Sequence, residues 1–277
     1  HHWAEGKRAT VDQILLGLFE DAWPNRFQDA CRYPLQTGGK RIRPLLCLAA
    51  AEAVATEPHP ALPSVAASIE LIHTYSLVHD DLPAMDDDDE RRGKPTVHKV
   101  FGEAGAILAG DALLTEAFSL LTRTGLDATL VVQLIQALGT AAGHPGMIGG
   151  QAQDCGMGGP VTDLDTLTKL HRGKTGALIA CATTMGGLAA GGTTEEVERL
   201  RRFGEDVGLA FQLADDVLDE DQDAGNDGPP SFVGFLGVAN TQQRATQLID
   251  EATSQLETFS RPDALLALAR YAIERDY

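Results

Sequence analysis

Two clusters of aspartates, each following an apolar segment, are the residues of this chain best suited to chemistry. The first cluster comprises Asp80, Asp81 and Asp86, and the second comprises Asp215, Asp216 and Asp219. Acidic groups at a helix C-terminus face the negative end of its dipole, which costs roughly a few tenths of a kcal/mol each unless a cation compensates. Carboxylate oxygens without neighbouring thiolates suit Mg²⁺, which shares its coordination shell with phosphate oxygens. The clusters therefore predict bound magnesium and a diphosphate ligand.

The neighbours of both clusters favour a site over the usual alternative, an acidic run on a solvated face. The basic pair Arg91 and Arg92 follows the first cluster. In the second cluster, Asp215 and Asp219 are spaced to share one face of a helix, with Gln212 in the preceding turn. We therefore expect both clusters to belong to a binding site.

Further basic residues occur in the sequence GGKRIRP, residues 38–44, at the predicted start of a helix. Free N–H groups and the positive dipole end favour an anion there, so the three cations Lys40, Arg41 and Arg43 are candidates to hold a second diphosphate. His73 precedes Asp80 by two helical turns and lies on the same helix face. That position favours His73 as a site residue over the alternative of a core histidine.

Length, charge and hydropathy restrict the class of protein. The chain has 277 residues, 43% of them hydrophobic, which suffices for a large core. Its net charge of −18 argues against nucleic acid and anionic membrane surfaces as partners. We see no run of about 18 apolar residues and no signal peptide, and therefore expect no membrane span. The opening His1 and His2 read as the remnant of a tag.

The cysteines lack the paired spacing of metal sites. They are Cys31, Cys47, Cys155 and Cys181. Without a supporting motif for a catalytic thiol, we expect all of them to be buried and reduced. Reduced thiols indicate a cytoplasmic protein.

The hydrophobic pattern is helical nearly throughout and predicts one all-α domain over residues 1–277. The predicted helices cover 41–56, 64–82, 103–123, 127–143, 162–190, 193 to the second cluster, 240–258 and 262–275. Ser64 and Thr162 are predicted to cap two of them, and Thr193 with Glu196 to form a capping box. The helices between 41 and 220 carry so little charge that we expect them to be buried between other helices.

Several segments of the chain resemble the trans-isoprenyl diphosphate synthases, above all the bacterial farnesyl and geranylgeranyl diphosphate synthases. The segments are GGKRIRP (38–44), LIHTYSLVHDDLPAMDDDDERRGKPTVH (71–98), LAGDALL (108–114), GGQAQD (149–154), GKTGAL (173–178) and FQLADDVLD (211–219). They occur in the order of the family and cover nearly the whole catalytic domain. The resemblance implies a bundle of long, mostly antiparallel helices around a central cavity, normally in a homodimer.

The resemblance also implies roles for single residues. Metal ligation is implied for Asp80, Asp86, Asp215 and Asp219, with Asp81 and Asp216 completing the motifs. The two motifs would hold an allylic diphosphate through three Mg²⁺, for which Mn²⁺ can substitute. Contacts to the allylic end are implied for Arg91, Lys174 and Gln212, and contacts to isopentenyl diphosphate for Lys40, Arg43, His73 and Arg92. Dipoles near Lys174 and Thr175, where a helix is expected to break, would stabilise a carbocation.

The implied reaction is prenyl transfer. Magnesium-assisted ionisation of dimethylallyl or geranyl diphosphate gives an allylic cation, which the double bond of isopentenyl diphosphate attacks. Tyr75, with Ser76 beside it, precedes Asp80 by about 6 to 7.5 Å of helix and is expected to form a floor that stops the chain at farnesyl diphosphate. Geranylgeranyl diphosphate is the alternative product, and a purely structural core aromatic is the alternative role of Tyr75.

Three other functions are weaker. A terpene cyclase typically carries an Asn/Ser/Glu metal motif in place of the second cluster, and a non-catalytic regulatory subunit is expected to have lost aspartates. A generic acidic scaffold does not explain GGKRIRP.

One departure from the family lies after the second cluster, where Pro229 stands roughly at the position of a usual lysine. If the lysine is absent, we expect weaker closure over the substrate, and so a lower rate and affinity, without a change of reaction. The alternative is that part of this loop is missing from the sequence.

Overall fold

The computed structural model describes residues 2–222 and 230–274, and they are predominantly helical. The helices are α1 (His2–Leu16), α2 (Asn25–Gln36), α3 (Ile42–Val54), α4 (Leu62–Asp80), α5 (Val97–Phe101), α6 (Glu103–Thr122), α7 (Ala128–Ala142), α8 (Met147–Asp154), α9 (Leu164–His171), α10 (Ala177–Ala189), α11 (Thr194–Gln222), α12 (Phe232–Leu236), α13 (Val238–Ser254) and α14 (Asp263–Ile273). A π-helical turn, Arg172–Gly176, joins α9 to α10. Within these residues, the strands form a single antiparallel hairpin, β1 (Glu90–Arg91) with β2 (Lys94–Pro95).

The described residues group into two compact units. The first comprises residues 1–48 and 60–135. Its central element is α4, which is buried along most of its length because its sequence is apolar on nearly every side. Helix α6 packs along α4, and α1 and α2 complete the surroundings. The buried α4 thereby carries the first aspartate cluster at its C-terminal end.

The second unit comprises residues 49–59 and 136–277. Its longest element, α11, packs against α10 and α13. Two glycines permit the close approach of α11, since a Cβ at Gly204 would lie 2.6 Å from the Cα of Ala180 and one at Gly208 would lie 2.8 Å from the Cα of Gly176. Helix α11 carries the second aspartate cluster in its last turns.

The predicted helix ends are partly confirmed. The capping box is present, because Thr193 N donates to Glu196 Oε2 at 2.7 Å and Glu196 N donates to Thr193 Oγ1 at 3.2 Å. The prediction for Ser64 is wrong, since α4 begins at Leu62 with proline in its first turn and no side-chain cap. The prediction for Thr162 is also wrong, because Asp163 is the N-cap and accepts from Thr166 N at 2.8 Å.

The single helix predicted over 162–190 is α9, the π-helical turn and α10. The break expected at Lys174 and Thr175 is absent, because the chain continues there through the π-helical turn. Helices α1, α2, α5, α8 and α12 and the hairpin were not predicted, since short or polar segments give a weak periodic signal.

Two expectations about burial and hydropathy are corrected. Three cysteines are buried, and burial raises the pKa of Cys31 and Cys181 to about 12, but Cys155 is exposed. Helix α6 is long and apolar enough to cross a membrane by length and composition, contrary to the expectation that no such run exists. One helix of this kind is weak evidence for a span, because core helices pass the same test.

Candidate functional site: two aspartate motifs and a cluster of arginines

The first aspartate motif lies where α4 ends and the chain turns back on itself. Asp80 is the last residue of α4 and Asp81 is its C-cap. The amide of Asp86 donates to the carbonyl of Asp80 at 2.8 Å, so the turn brings the two outer residues of the motif together. This backbone bond explains how residues separated in sequence can serve one ligand.

The middle residue of this motif, Asp81, is engaged with protein instead of facing solvent. Its side chain is buried and accepts from Arg91 Nε at 2.7 Å through Oδ1 and at 3.0 Å through Oδ2. The same guanidinium reaches Asp88 Oδ2 at 3.3 Å. A bidentate arginine–carboxylate pair is among the strongest and most directional protein hydrogen bonds. Asp81 therefore holds Arg91 beside Asp80, and Arg91 is fixed by protein contacts rather than extended into solvent.

Arg92, the next residue, lies at the tip of the hairpin and points to the glycine pair of GGKRIRP. Its NH1 donates to the carbonyl of Gly38. A Cβ at Gly39 would lie 2.8 Å from the same NH1, so the absent side chain gives the guanidinium room beside the loop. The two adjacent arginines are thus separated, with Arg91 held at the first aspartate motif and Arg92 at the glycine loop.

The glycine loop is held by Arg41, one of the three cations predicted to favour a diphosphate at this helix start. Arg41 is 3% exposed and adopts a positive φ of 52°. Its guanidinium donates to Glu70 Oε1 at 2.9 Å, to Asp12 Oδ1 at 2.7 Å and to the carbonyl of Leu35 at 3.0 Å. Glu70 is a buried carboxylate in the middle of α4. Arg41 is consequently a structural anchor of the loop.

Arg43, His73 and Arg92 form an electropositive cluster in the same unit. Burial, with Arg43 and Arg92 close by, lowers the pKa of His73 well below its ordinary value, so the ring is neutral at pH 7. Burial and Arg92 also lower the pKa of Arg43. The Nε of Arg43 is buried and has no hydrogen-bond partner among the described residues. A buried donor without a partner is costly, so the cluster suits an anion.

Lys40 lies at the exposed rim of the same loop. The structure therefore brings three of the four residues predicted for isopentenyl diphosphate into one cluster and places the fourth at its edge.

The second aspartate motif lies on α11, where its middle residue is again engaged with protein. Asp216 Oδ2 accepts from the amide of Phe232 at 2.6 Å. Burial, with Asp219 and Asp215 nearby, raises the pKa of Asp216 to about 6. The Phe232 ring is buried against His171 with ring centroids 5.4 Å apart. Asp216 thus fixes the start of α12, while Asp215, Asp219 and Gln212 lie on the same two turns of α11.

Lys174 lies in the π-helical turn and is paired with Asp154, a residue that sequence reasoning quoted within GGQAQD but gave no role. The Nζ of Lys174 lies 2.5 Å from Asp154 Oδ2. Helix α8 reaches the turn through Gly150, where a Cβ would lie 2.2 Å from the amide nitrogen of Lys174. Gly150 and Asp154 are one helical turn apart, so α8 both packs on the turn and orients its lysine. Thr175 is half-buried in the same turn.

The residues predicted to limit chain length lie on α4. Tyr75 is 6% exposed, and burial, with Asp80 nearby, raises the pKa of its phenol. Ser76 is half-buried and donates its hydroxyl to the carbonyl of His73 at 2.8 Å. The tyrosine ring is therefore a fixed apolar surface one to two turns below Asp80.

One further group of possible metal ligands was not predicted. Ligand atoms of Asp87, Asp89 and His98 lie within 4.8 Å of one another. Asp89 also forms an ion pair with Lys99, whose Nζ is 2.5 Å away. Exposed acidic residues are common without an ion, so we assign this group no function of its own.

Comparison with known proteins gives consistent matches. The family model described as polyprenyl synthetase matches residues 24–231. Geranylgeranyl pyrophosphate synthase 7, chloroplastic, of Arabidopsis thaliana is 43% identical, with 98% of this chain and 82% of the relative covered. Farnesyl diphosphate synthase of Micrococcus luteus is 40% identical, with 96% and 94% covered. The apo crystal structure of an FPP/GFPP synthase from Zymomonas mobilis is 40% identical, with a TM-score of 0.88 and 97% and 98% covered.

These matches bear on the fold and on the product. The described residues are 73% helical and the structural neighbours share the all-α fold, which confirms the predicted fold class. The names of the relatives divide between farnesyl and geranylgeranyl diphosphate synthases. The comparisons therefore agree on the type of reaction and leave the product length to the geometry of the site.

Proposed function

Because the chain belongs to the polyprenyl synthetase family, a family of magnesium-dependent prenyltransferases, we propose that it condenses isopentenyl diphosphate with dimethylallyl and geranyl diphosphate and that farnesyl diphosphate is its main product. The observation that carries the choice of product is the buried Tyr75 ring below Asp80. Geranylgeranyl diphosphate remains the alternative, since a relative with that name is 43% identical to this chain.

The donor set of the aspartate motifs fits Mg²⁺, because it consists of carboxylate oxygens and contains no thiolate. Asp80, Asp86, Asp215 and Asp219 are the proposed ligands of three ions, and the turn that joins Asp86 to Asp80 supports this for the first motif. Mg²⁺, when bound, neutralises the charge that develops on a departing diphosphate. Asp81 and Asp216 act by fixing Arg91 and the start of α12.

In the proposed reaction, the bond between C1 and oxygen of the allylic diphosphate breaks and both electrons leave with the diphosphate. The C3–C4 double bond of isopentenyl diphosphate then forms a new bond to C1, and a proton lost from its C2 passes to the released diphosphate. Lys40, Arg43, His73 and Arg92 hold isopentenyl diphosphate, while Arg91, Lys174 and Gln212 hold the allylic diphosphate. Dipoles at Thr175 favour the cation. The protein contributes proximity and charge, and no side chain forms a covalent bond.

The proposal is tested by incubating the purified protein with isopentenyl diphosphate, Mg²⁺ and each allylic primer in turn, with product length read by mass spectrometry. We expect 15-carbon product from both dimethylallyl and geranyl diphosphate. Farnesyl diphosphate offered as primer should be elongated poorly. A 20-carbon main product would contradict the farnesyl assignment, and the absence of any condensation would contradict the function itself.

The separation of Arg91 from Arg92 predicts different effects on the two substrates. Arg92→Ala should raise the KM for isopentenyl diphosphate by about 10-fold or more, since a hydrogen bond to a charged group is worth about 1.5–3 kcal/mol. Arg91→Ala should instead raise the KM for the allylic diphosphate, because Arg91 is held beside Asp80. The two variants serve as controls for each other in steady-state kinetics. Equal effects on both substrates in both variants would contradict the assignment.

We further propose that the protein forms a homodimer in the cytoplasm. Exposed apolar residues support the dimer, since Ile107 and Leu108 on α6 are 45% and 54% exposed and Val132 on α7 is 63% exposed. Large exposed apolar patches commonly mark an interface, and a patch that includes these residues would serve a dimer. Sedimentation velocity measures the assembly directly, and a monomer at micromolar concentration would contradict it.

A further inference from the structure

His79, the residue before Asp80, lies against the ring that is proposed to limit chain length. The rings of Tyr75 and His79 meet edge to face, with centroids 5.7 Å apart and planes at 83°. The two residues are one helical turn apart on α4 and therefore share a face of that helix. The metal motif and GGKRIRP account for neither side chain of this pair.

The orientation of the His79 ring is fixed by α6. Its Nε2 lies 3.1 Å from the carbonyl oxygen of Ile107. Because a carbonyl oxygen can only accept, Nε2 must carry the proton and donate. The imidazole is thus tied at one end to the backbone of α6, while its ring contacts Tyr75 on α4.

A single glycine on α6 makes room for this ring. A Cβ at Gly110 would lie 2.1 Å from Nε2 and 2.4 Å from Cδ2 of His79. Gly110 belongs to the segment LAGDALL, which the site described above does not use. The three atoms nearest to such a Cβ all belong to the His79 ring, so alanine at this position would displace the imidazole.

We propose that His79, held by Ile107 and Gly110, is a positioning residue for Tyr75 and thereby a determinant of product length. An aromatic ring limits a growing chain only if it cannot rotate out of the way. The Tyr75 ring makes an edge-to-face contact with His79, and His79 is hydrogen-bonded to the backbone of α6. The inference rests on the proposed function, since it assigns a second residue to the floor of the same cavity.

The experiment measures product length in His79→Ala and Gly110→Ala, with Tyr75→Ala as the reference. Both variants should increase the fraction of product longer than the main product of the wild type by about 3- to 10-fold, the ratio expected for loss of an edge-to-face aromatic contact. Gly105→Ala is the matched control on α6, because a Cβ there would meet only the Cβ of Phe101, at 3.0 Å. It should leave product length unchanged.

A double variant separates positioning from other roles. If His79 acts through Tyr75, then His79→Ala added to Tyr75→Ala should lengthen the product no further than Tyr75→Ala alone. Additive lengthening would overturn the inference, and so would an unchanged product ratio in a folded, active His79→Ala variant. A lower kcat without a change in product ratio would show that His79 acts through Asp80 instead. If Gly110→Ala does not fold, the His79 variants decide the matter.

The outcome for the wild type keeps this inference distinct from the proposed function. A wild-type protein that makes 20-carbon product refutes the farnesyl assignment, whereas the positioning role is still judged by whether the variants lengthen that product. A wild-type protein that condenses no substrates refutes the function and the inference together.

Discussion

Replacing Asp80 or Asp215 by alanine is expected to lower kcat by at least about 10²-fold, the usual loss when one preorganised electrostatic element is removed. Both residues are proposed Mg²⁺ ligands, one at the end of α4 and the other in the last turns of α11. Without the carboxylate, the charge on the departing diphosphate is neutralised less well. Steady-state kinetics at saturating substrates and Mg²⁺ give the comparison.

Matched controls are available in each unit. Asp29 on α2 and Asp250 on α13 are exposed aspartates outside both motifs, and their alanine variants should retain wild-type kcat. Mn²⁺ binding measured by electron paramagnetic resonance provides a readout that does not depend on turnover, and it should weaken in both motif variants. If the motifs act on one ligand, the double variant should lose less than the product of the single losses. Near wild-type kcat in either single variant would contradict the assignment of magnesium ligands.

Much of this site was predictable because its signals are local in sequence. Aspartates spaced at one helical turn, such as Asp215 and Asp219, share a face whatever the rest of the chain does. The capping box of Thr193 with Glu196 is likewise decided within a few residues. Pro229 lies outside the described residues, so the expected effect of its substitution remains a prediction.

The features that sequence reasoning missed depend on contacts between distant segments. Lys40, Arg41 and Arg43 look alike in sequence, and only the folded chain shows that Arg41 turns inward to Asp12 and Glu70. Asp154 acquires its role from Lys174, twenty residues away. Nothing in the sequence separates these pairings from ordinary surface charges.

The middle aspartates show a further limit of prediction from local sequence patterns. A DDxxxxD or DDxxD pattern presents its acidic residues as equivalent ligands, yet Asp81 and Asp216 are both bonded to protein groups. The direction of a side chain at a helix end depends on the chain that follows it. A local pattern therefore identifies the motif but does not distinguish ligands from residues that support them.

The buried ion pair between Arg41 and Glu70 is expected to contribute strongly to stability. Their side chains are 2% and 3% exposed, and Arg41 NH1 lies 2.9 Å from Glu70 Oε1. Breaking a buried pair by removing one partner costs about 3–5 kcal/mol, and among the described carboxylates Arg41 would keep only Asp12, whose side chain is 33% exposed. We therefore expect Glu70→Ala to lower the free energy of unfolding by about this amount. Urea denaturation, with a comparison of midpoints at unchanged slope, measures the loss.

Glu198 supplies the matched control for this last prediction. It pairs with Arg201 at 2.7 Å and Arg202 at 2.9 Å on α11, but its side chain is 39% exposed. Surface pairs contribute about 0–1 kcal/mol, so Glu198→Ala should change the midpoint little. Equal losses in Glu70→Ala and Glu198→Ala would contradict the anchoring role of Arg41.

The loss of Glu70 should also affect the glycine loop. Arg41 donates hydrogen bonds to the carbonyls of Leu35 and Gly38, so an Arg41 side chain without Glu70 should hold this loop, which receives Arg92, less firmly. Glu70→Ala should therefore raise the KM for isopentenyl diphosphate as well, in the fraction of protein that remains folded.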